Sequence, residues 1–219
     1  MRIVQPRGKR GSLKWIQTAV NQHPHLLQPP EMPTIAWVSP MEGDGYAEYR
    51  DTAFLGCLRH GYLSDSLKKF WPQRGPQWDA LGLTSNGPIL VEAKAHLREF
   101  FSPPSQAGPK SIELIRRAFA AVQADLGVST SVDWADHYFQ YANRLAFLWW
   151  LRQQGIDAKL IFVSFLNDED MRGPQHAEVW KTAFASANYV LGLHEGHKLS
   201  RHIYHVTPDV RELTSVDKQ

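Results

Sequence analysis

The feature that most constrains the fold is a nearly unbroken apolar run at residues 159–166, which includes Leu160, Ile161, Phe162 and Val163. A strand with one solvent-facing side alternates apolar and polar residues, whereas a strand covered on both faces does not. The run is far shorter than the ~20 apolar residues of a membrane-spanning helix, and no other stretch reaches that length. The sequence therefore predicts an inner strand of a sheet that carries helices on both faces.

Other segments of the chain show helical or strand periodicity on either side of this run. The predicted helices lie at 46–59, 64–70, 111–126, 133–154 and 177–191, and the further strands at 35–38, 77–84, 89–96 and 202–206. This mixed order predicts an α/β fold with a mixed central β-sheet and helices on both faces. With 219 residues in all, we expect one domain at 35–219, preceded by a basic, proline-rich arm and connector at 1–34.

Charge is distributed unevenly along the chain. The net charge is only +2, yet five cationic residues and no acidic residue precede Glu31. Lysine and arginine displace counterions from nucleic acid, so this arm is a candidate to contact phosphates through Lys9, Arg10 and Lys14. A solvated tail with no partner is the other interpretation.

The single cysteine, Cys57, excludes an internal disulfide and a multi-cysteine zinc site. One unpaired thiol suits a reducing compartment, and we expect a cytoplasmic protein that does not associate with membranes.

A predicted hairpin carries the residues with the most chemical potential. Segments 77–84 and 89–96 are separated by Ser-Asn-Gly-Pro, a combination typical of turns. If Thr84 pairs with Ile89, Asp79 lies opposite Lys94 and diagonal to Glu92, so all three side chains share one face. An odd-length loop without a bulge would instead send Asp79 to the other face.

Two carboxylates and a lysine on one face of a sheet need a physical reason, since buried charges are costly unless they are paired or bound to metal. Asp79 and Glu92 offer the oxygen ligands that Mg²⁺ or Mn²⁺ prefers. Lys94 could orient an attacking water or balance charge. The set suits metal-assisted cleavage of a phosphodiester.

Asp79, followed 13 residues later by Glu92-Ala93-Lys94 on the second strand of a hairpin, resembles the signature of the PD-(D/E)XK nuclease superfamily. The resemblance implies a restriction-endonuclease-like fold with an αβββαβ core and Mg²⁺-dependent cleavage of nucleic acid, with DNA as the expected substrate. It also implies that Asp79 and Glu92 bind the metal and that Lys94 is the catalytic lysine. Glu48, on the predicted helix 46–59, is the candidate for the additional acid that many members carry.

The sequence departs from this pattern in places. Trp78 stands where the signature has proline, and no apolar stretch between helix 46–59 and Gln77 predicts the first core strand. The Gln-x-x-x-Tyr helix signature of one branch is absent in that form. Gln140 and Arg144 still give helix 133–154 a polar edge, and we assign them, with His96, as candidate nucleic-acid contacts.

Alternative interpretations remain open at this stage. A second acid-x-Lys triplet, Asp157-Ala158-Lys159, shows that the triplet alone is not specific, and Asp79 with Lys94 could be a cross-strand ion pair at the surface. The histidines near residues 194–205 have zinc-like spacing but alternate in direction on a strand. The chain could also be a non-catalytic nucleic-acid-binding or scaffold protein with a nuclease fold. If it cuts both strands of a duplex, we expect two chains to pair.

Overall fold

A computed structural model of the chain describes residues 1–214. Its strands are β1 Arg2–Ile3, β2 Ala36–Ser39, β3 Glu48–Tyr49, β4 Ala80–Leu83, β5 Pro88–Lys94, β6 Lys159–Ser164 and β7 Ile203–Val206. Its α-helices are α1 Gly11–Gln22, α2 Thr52–Cys57, α3 Ser64–Phe70, α4 Leu97–Phe100, α5 Pro109–Leu126, α6 Phe139–Gln153, α7 Ala177–Leu191 and α8 Val210–Thr214.

Five strands form the central sheet in the order β2-β4-β5-β6-β7. The first three are antiparallel, and β5, β6 and β7 run parallel to one another. Strands β1 and β3 form a separate two-stranded pair. The predicted α/β fold with a mixed sheet is therefore confirmed.

Helices cover both faces of this sheet and bury two apolar clusters. On one face, Trp15, Ile16 and Val20 of α1 pack with the odd-numbered side chains of β5, such as Val91. On the other face, α5, α6 and α7 pack over the even-numbered residues, including Leu90. This two-sided burial explains why β6 has no alternating polar residues.

The N-terminal 34 residues are packed against the rest of the chain and do not extend as a separate arm. Helix α1 lies in the segment where we expected an arm and connector, and its apolar side is buried on the sheet. Upstream of α1, β1 pairs with β3, and the Arg2 guanidinium binds Asp44 at 2.5 Å. The prolines at 24–33 then lead the chain into β2.

The predicted helix 46–59 is wrong in its first half. Glu48–Tyr49 forms strand β3, and the helix spans only Thr52–Cys57. Tyr46 and Asp51 have φ of 50° and 52°, which breaks a right-handed helix on both sides of the strand. The strand partner of β3 lies more than 40 residues earlier, so local periodicity could not indicate it.

The predicted helix 133–154 begins later than expected, at Phe139, because Tyr138 adopts φ of 49°. Trp134, which precedes the helix, is buried, and its indole N–H donates to the Leu191 carbonyl at 3.0 Å. No strand of the central sheet lies between α2 and Gln77, and the antiparallel neighbour of β4 on its outer side is β2. Residues 41–79 therefore form a long connection between two neighbouring strands of the sheet.

Among residues 1–214, we find no helix with the combined length and apolar character that crossing a bilayer demands.

Candidate active site

The β4–β5 hairpin positions the central acids, in a register that differs from the predicted one. Leu83 pairs with Pro88 and Ala80 with Val91. The predicted pairing of Thr84 with Ile89 is wrong by two residues. Asp79 lies in a bend just before β4, where its N–H donates to the Val91 carbonyl at 3.2 Å and its Oδ2 accepts the Ala93 N–H at 2.7 Å, so its carboxyl group lies beside Glu92.

The turn explains this register. Thr84 N–H donates to the Gly87 carbonyl at 3.0 Å, and the Thr84 hydroxyl accepts from the Asn86 and Gly87 N–H groups at 3.2 Å. Hydrogen-bonded and non-hydrogen-bonded pairs alternate in an antiparallel ladder, so Leu83 and Pro88 form a non-hydrogen-bonded pair. Pro88 lacks an N–H and none is required there.

Glu92 is the centre of an ion-pair network on the α6 side of the sheet. Its side chain is 4% exposed, and Lys94 on the same strand binds Oε1. The Arg144 guanidinium, from the second turn of α6, reaches Oε2 at 2.5 Å. Burial raises the pKa of Glu92, but the two cations outweigh it and hold that pKa below its ordinary value.

Arg144 is held by several further contacts. It donates to the Asn143 side-chain oxygen at 2.8 Å and to the Gln77 carbonyl at 2.9 Å, and it lies 4.9 Å from the Trp78 ring. Within residues 1–214, Lys94 forms a single ion pair, and its partner is Glu92. Of the two cations on Glu92, Lys94 is therefore the freer to move.

Asp79 lies beside this network without a cation of its own. Its Oδ2 accepts the Ala93 N–H at 2.7 Å, whereas Oδ1 makes no hydrogen bond to residues 1–214. Desolvation, with the neighbouring negative charge of Glu92, raises the pKa of Asp79 well above its ordinary value. Asp79 is thus a half-buried carboxyl group with a raised pKa and one oxygen that bonds to none of residues 1–214.

Glu48 joins the cluster from strand β3 and not from the helix on which we expected it. It is 4% exposed, and the side-chain amides of Gln5 and Gln77 both donate to its Oε2. Desolvation raises its pKa despite these hydrogen bonds, and the charge of Glu92 adds to the shift. Three carboxylates thus meet at the start of β4 and the end of β5.

The oxygen donors fit a hard divalent cation only after one rearrangement. Asp79 Oδ1 is available, but both oxygens of Glu92 are already bound by Lys94 and Arg144. Among residues 1–214, no group of three or more His, Cys, Asp or Glu side chains is arranged to hold a metal ion. A cation shared by Asp79 and Glu92 would have to take the place of Lys94 at Glu92.

The predicted basic contacts lie on the segment that borders this cluster. Gln5 binds Glu48 at one end of the segment, and the Ser12 hydroxyl lies 3.4 Å from a Glu99 oxygen at the other. Lys9 and Arg10 are exposed between these two anchors. Lys14 lies in α1 with its ammonium 3.9 Å from the Trp15 ring centroid.

His96, a predicted nucleic-acid contact, lies beyond the end of β5. Strand β5 ends at Lys94, and His96 precedes α4, where its Nε2 lies 3.5 Å from Glu99. The other Glu99 oxygen accepts the Ala95 N–H at 2.8 Å. His96 therefore lies at the rim of the site and contacts none of the three central acids.

The two polar residues predicted on α6 have different surroundings. Gln140 is half-buried in the first turn and lines a cavity next to the site. Arg144 is buried and bound to Glu92, so the structure uses it inside the site and not as an open phosphate contact.

Two further residues belong to the site, and our sequence reasoning assigned a role to neither. Gln77 links Glu48 to Arg144, through its amide and its carbonyl respectively. Ser164 pairs with Lys94 across β5 and β6, and its buried hydroxyl has no hydrogen-bond partner among residues 1–214. Gln77 could have been noticed as a polar residue two positions before Asp79. Ser164 follows an apolar run and gives no such signal.

The other acid-x-Lys triplet is a peripheral ion pair, as its sequence context indicated. Lys159 binds Asp157 at 2.7 Å, and the Asp157 side chain is 45% exposed. Arg152 binds the same carboxylate at 2.7 Å. The acids of the two triplets therefore differ in burial while their lysines are similarly half-buried, which makes Lys159 a matched control for Lys94.

Comparison with known proteins gives no assignment, since no family model, no curated protein and no solved structure matches this chain.

Proposed function

We propose that this chain is a divalent-metal-dependent nuclease of the PD-(D/E)XK type that hydrolyses phosphodiester bonds, with DNA as its substrate. The observation that carries the proposal is the convergence of Glu48, Asp79 and Glu92 with Lys94 at one point of a covered sheet face. Two of the three acids have raised pKa values, which is unfavourable for folding and typical of functional sites.

The order of the elements supports the same proposal. Helix α1 is followed by the antiparallel strands β2, β4 and β5, then by α6 and by the parallel strand β6. This is the αβββαβ order that the resemblance implies, with residues 41–79 as an insertion. In this reading the first core helix is α1.

Each residue of the cluster then has a distinct role. Asp79 Oδ1 and the Glu92 oxygen now bound by Lys94 would hold Mg²⁺ or Mn²⁺. When bound, such an ion activates a water and offsets the charge of the phosphate. Lys94, released from Glu92, would orient the attacking water, while Arg144 keeps Glu92 in place through its other contacts.

The test is cleavage of labelled DNA with Mg²⁺ or Mn²⁺ by the wild-type protein, D79A, K94A and K159A. We expect D79A and K94A to lose about 100-fold or more in rate, as is usual when a group of this kind is removed. K159A removes a lysine that is 18% exposed, close to the 13% of Lys94, but pairs with the exposed Asp157, and it should keep wild-type activity. Equal cleavage by D79A, K94A and wild type would reject the site.

A second candidate function follows from one observation, the double ion pairing of Glu92. If that network is permanent, the chain would be a non-catalytic nucleic-acid-binding or scaffold protein with this fold. It would then bind DNA in a salt-sensitive way without cutting it under any metal condition.

A further inference from the structure

A cavity of about 790 Å³ opens beside the acidic cluster. It lies between two loops, 72–77 and 103–108, and the first turns of α6 line it. Pockets that hold small ligands usually have volumes of roughly 300–1,000 Å³. The cavity therefore has room for a nucleotide-sized group but not for a base-paired helix.

The cavity and the acidic cluster share residues. Gln77 and Arg144 line the cavity, and they also bind Glu48 and Glu92 respectively. Asn143 lines it as well and accepts a hydrogen bond from Arg144. A group held in the cavity would thus lie next to the carboxylates. A nucleotide adjoining the phosphate that is cut has to occupy such a position.

The polar lining of the cavity suits an anion with hydrogen-bonding edges. Arg74 and Arg144 are its charged lining residues, and no carboxylate among residues 1–214 lines it. The side chains of Gln73, Arg74 and Gln140 make no hydrogen bond or ion pair with residues 1–214. These three groups can therefore bond to a ligand without breaking a protein contact.

The apolar lining of the cavity suits a flat ring. Trp71 and Phe139 both line it, with their ring planes 24° apart and their centroids 6.5 Å apart. Phe139 is half-buried, and prolines 72, 76, 103 and 104 stiffen the surrounding loops. Bases freed from a duplex are commonly held by aromatic contact and by bonds to their exposed edges.

We propose that this cavity binds one unpaired nucleotide of the substrate, next to the bond that is cut. The chain would then act on single-stranded DNA or on unpaired ends, in preference to continuous duplex. This inference rests on the proposed function, because it places the nucleotide relative to the carboxylates.

The experiment measures binding without catalysis. Fluorescence anisotropy in EDTA compares a labelled single-stranded DNA oligonucleotide with the same strand annealed to its full complement as a blunt duplex. The variant R74A/Q140A removes two free polar groups of the cavity. The control is R59A, because Arg59 is also exposed and has φ of 67°, against 66° for Arg74.

We expect the wild-type protein and R59A to bind the single strand about tenfold more tightly than the duplex, in line with the strength of base contacts to such a site. R74A/Q140A should lose this preference while its Tm stays close to that of R59A. Equal binding of single strand and duplex, a preference that R74A/Q140A retains, or no DNA binding at all would each overturn the inference.

Failure of the cavity assignment and failure of the proposed nuclease function give different results. A single-strand preference that R74A/Q140A abolishes, without cleavage in Mg²⁺ or Mn²⁺, would support the cavity and reject the nuclease. Cleavage of continuous duplex at the same rate as single strand would support the nuclease and overturn the cavity assignment.

Discussion

At the scale of single residues, the site combines one carboxyl group that forms ion pairs with two cations and two carboxyl groups that form no ion pair with residues 1–214. Glu92 has two cationic partners, and its pKa is lowered. Asp79 and Glu48 have raised pKa values, chiefly because burial disfavours their charged forms. A protein gains no stability from such acids at neutral pH, so their presence needs a reason other than folding.

The first prediction concerns the pH dependence of stability. A carboxyl group with a raised folded-state pKa contributes stability that is fully present below its unfolded value of 3.8 and is lost as pH rises through the folded pKa. Asp79→Asn removes this loss, and its amide oxygen can still accept the Ala93 N–H. Without metal, D79N should be more stable than wild type at pH 8 by about 1 kcal/mol or more.

Urea unfolding in EDTA at a series of pH values measures this difference, which should shrink toward zero near pH 4. The control is D157N, since burial has little effect on Asp157 and its ion pairs lower its pKa. D157N should be slightly less stable than wild type at pH 8. If D79N were also less stable there, the charge on Asp79 would not be uncompensated.

At the scale of secondary-structure elements, the β4–β5 turn determines which residues meet. The turn residue Gly87 has φ of 153°, and a Cβ on it would lie 2.4 Å from the Asp157 carbonyl oxygen. Only glycine fits this conformation and this close approach. The same turn fixes the pairing of β4 with β5, and Asp79 lies beside Glu92 at the end of that pairing.

Gly87→Ala should therefore destabilise the protein by about 1–3 kcal/mol, because the new methyl group collides with backbone at a strained φ. Gly43→Ala is the control, since a Cβ at Gly43 meets no atom within 4 Å. Thermal or urea unfolding of both variants measures the effect. A G87A protein as stable as G43A would show that the turn does not hold this register.

Sequence reasoning succeeded at this scale where the signal was local. The α/β class, the predicted strand 159–166, the hairpin and helix 177–191 follow from periodicity and turn residues. It failed for β3, whose partner is β1, and for the start of α6, where Tyr138 has a positive φ. Those features depend on distant contacts that a single segment does not encode.

The candidate site could also be predicted only where its signal was local in the sequence. The predicted hairpin was enough to bring Asp79 near Glu92 and Lys94, although the register is two residues off and Asp79 lies in a bend just outside the paired residues. Arg144 could be recognised as polar, but its contact with Glu92 depends on how α6 packs over β5. The role of Gln77 required knowledge of both Glu48 and Arg144.

At the scale of the whole molecule, the two faces of the central sheet differ in what they bury. Helix α1 seals one face with apolar contacts, and the other face holds the ionic cluster beneath α6. The connection 41–79 brings Glu48 and Gln77 to that cluster. The N-terminal segment runs along its edge, between the contact of Gln5 with Glu48 and that of Ser12 with Glu99, and exposes Lys9 and Arg10 there.

If these two cations contact phosphates, DNA binding should depend on salt through them. K9A/R10A should reduce the slope of log binding constant against log salt concentration by about 1.4, because each phosphate contact on a single strand contributes about 0.7. Anisotropy titrations from low to moderate salt measure the slope. The control is K68A/K69A, which removes two exposed lysines at the end of α3 and should leave it unchanged. An unchanged slope for K9A/R10A would exclude this segment from the interface.

The most direct test of the central claim is a crystal structure of the protein soaked with Mn²⁺, read from the anomalous signal. The account predicts a peak bound by Asp79 Oδ1 and one oxygen of Glu92, with Lys94 moved off Glu92 and Arg144 still bound to it. An intact site with no peak, in which Glu92 stays bound between Lys94 and Arg144, would contradict it.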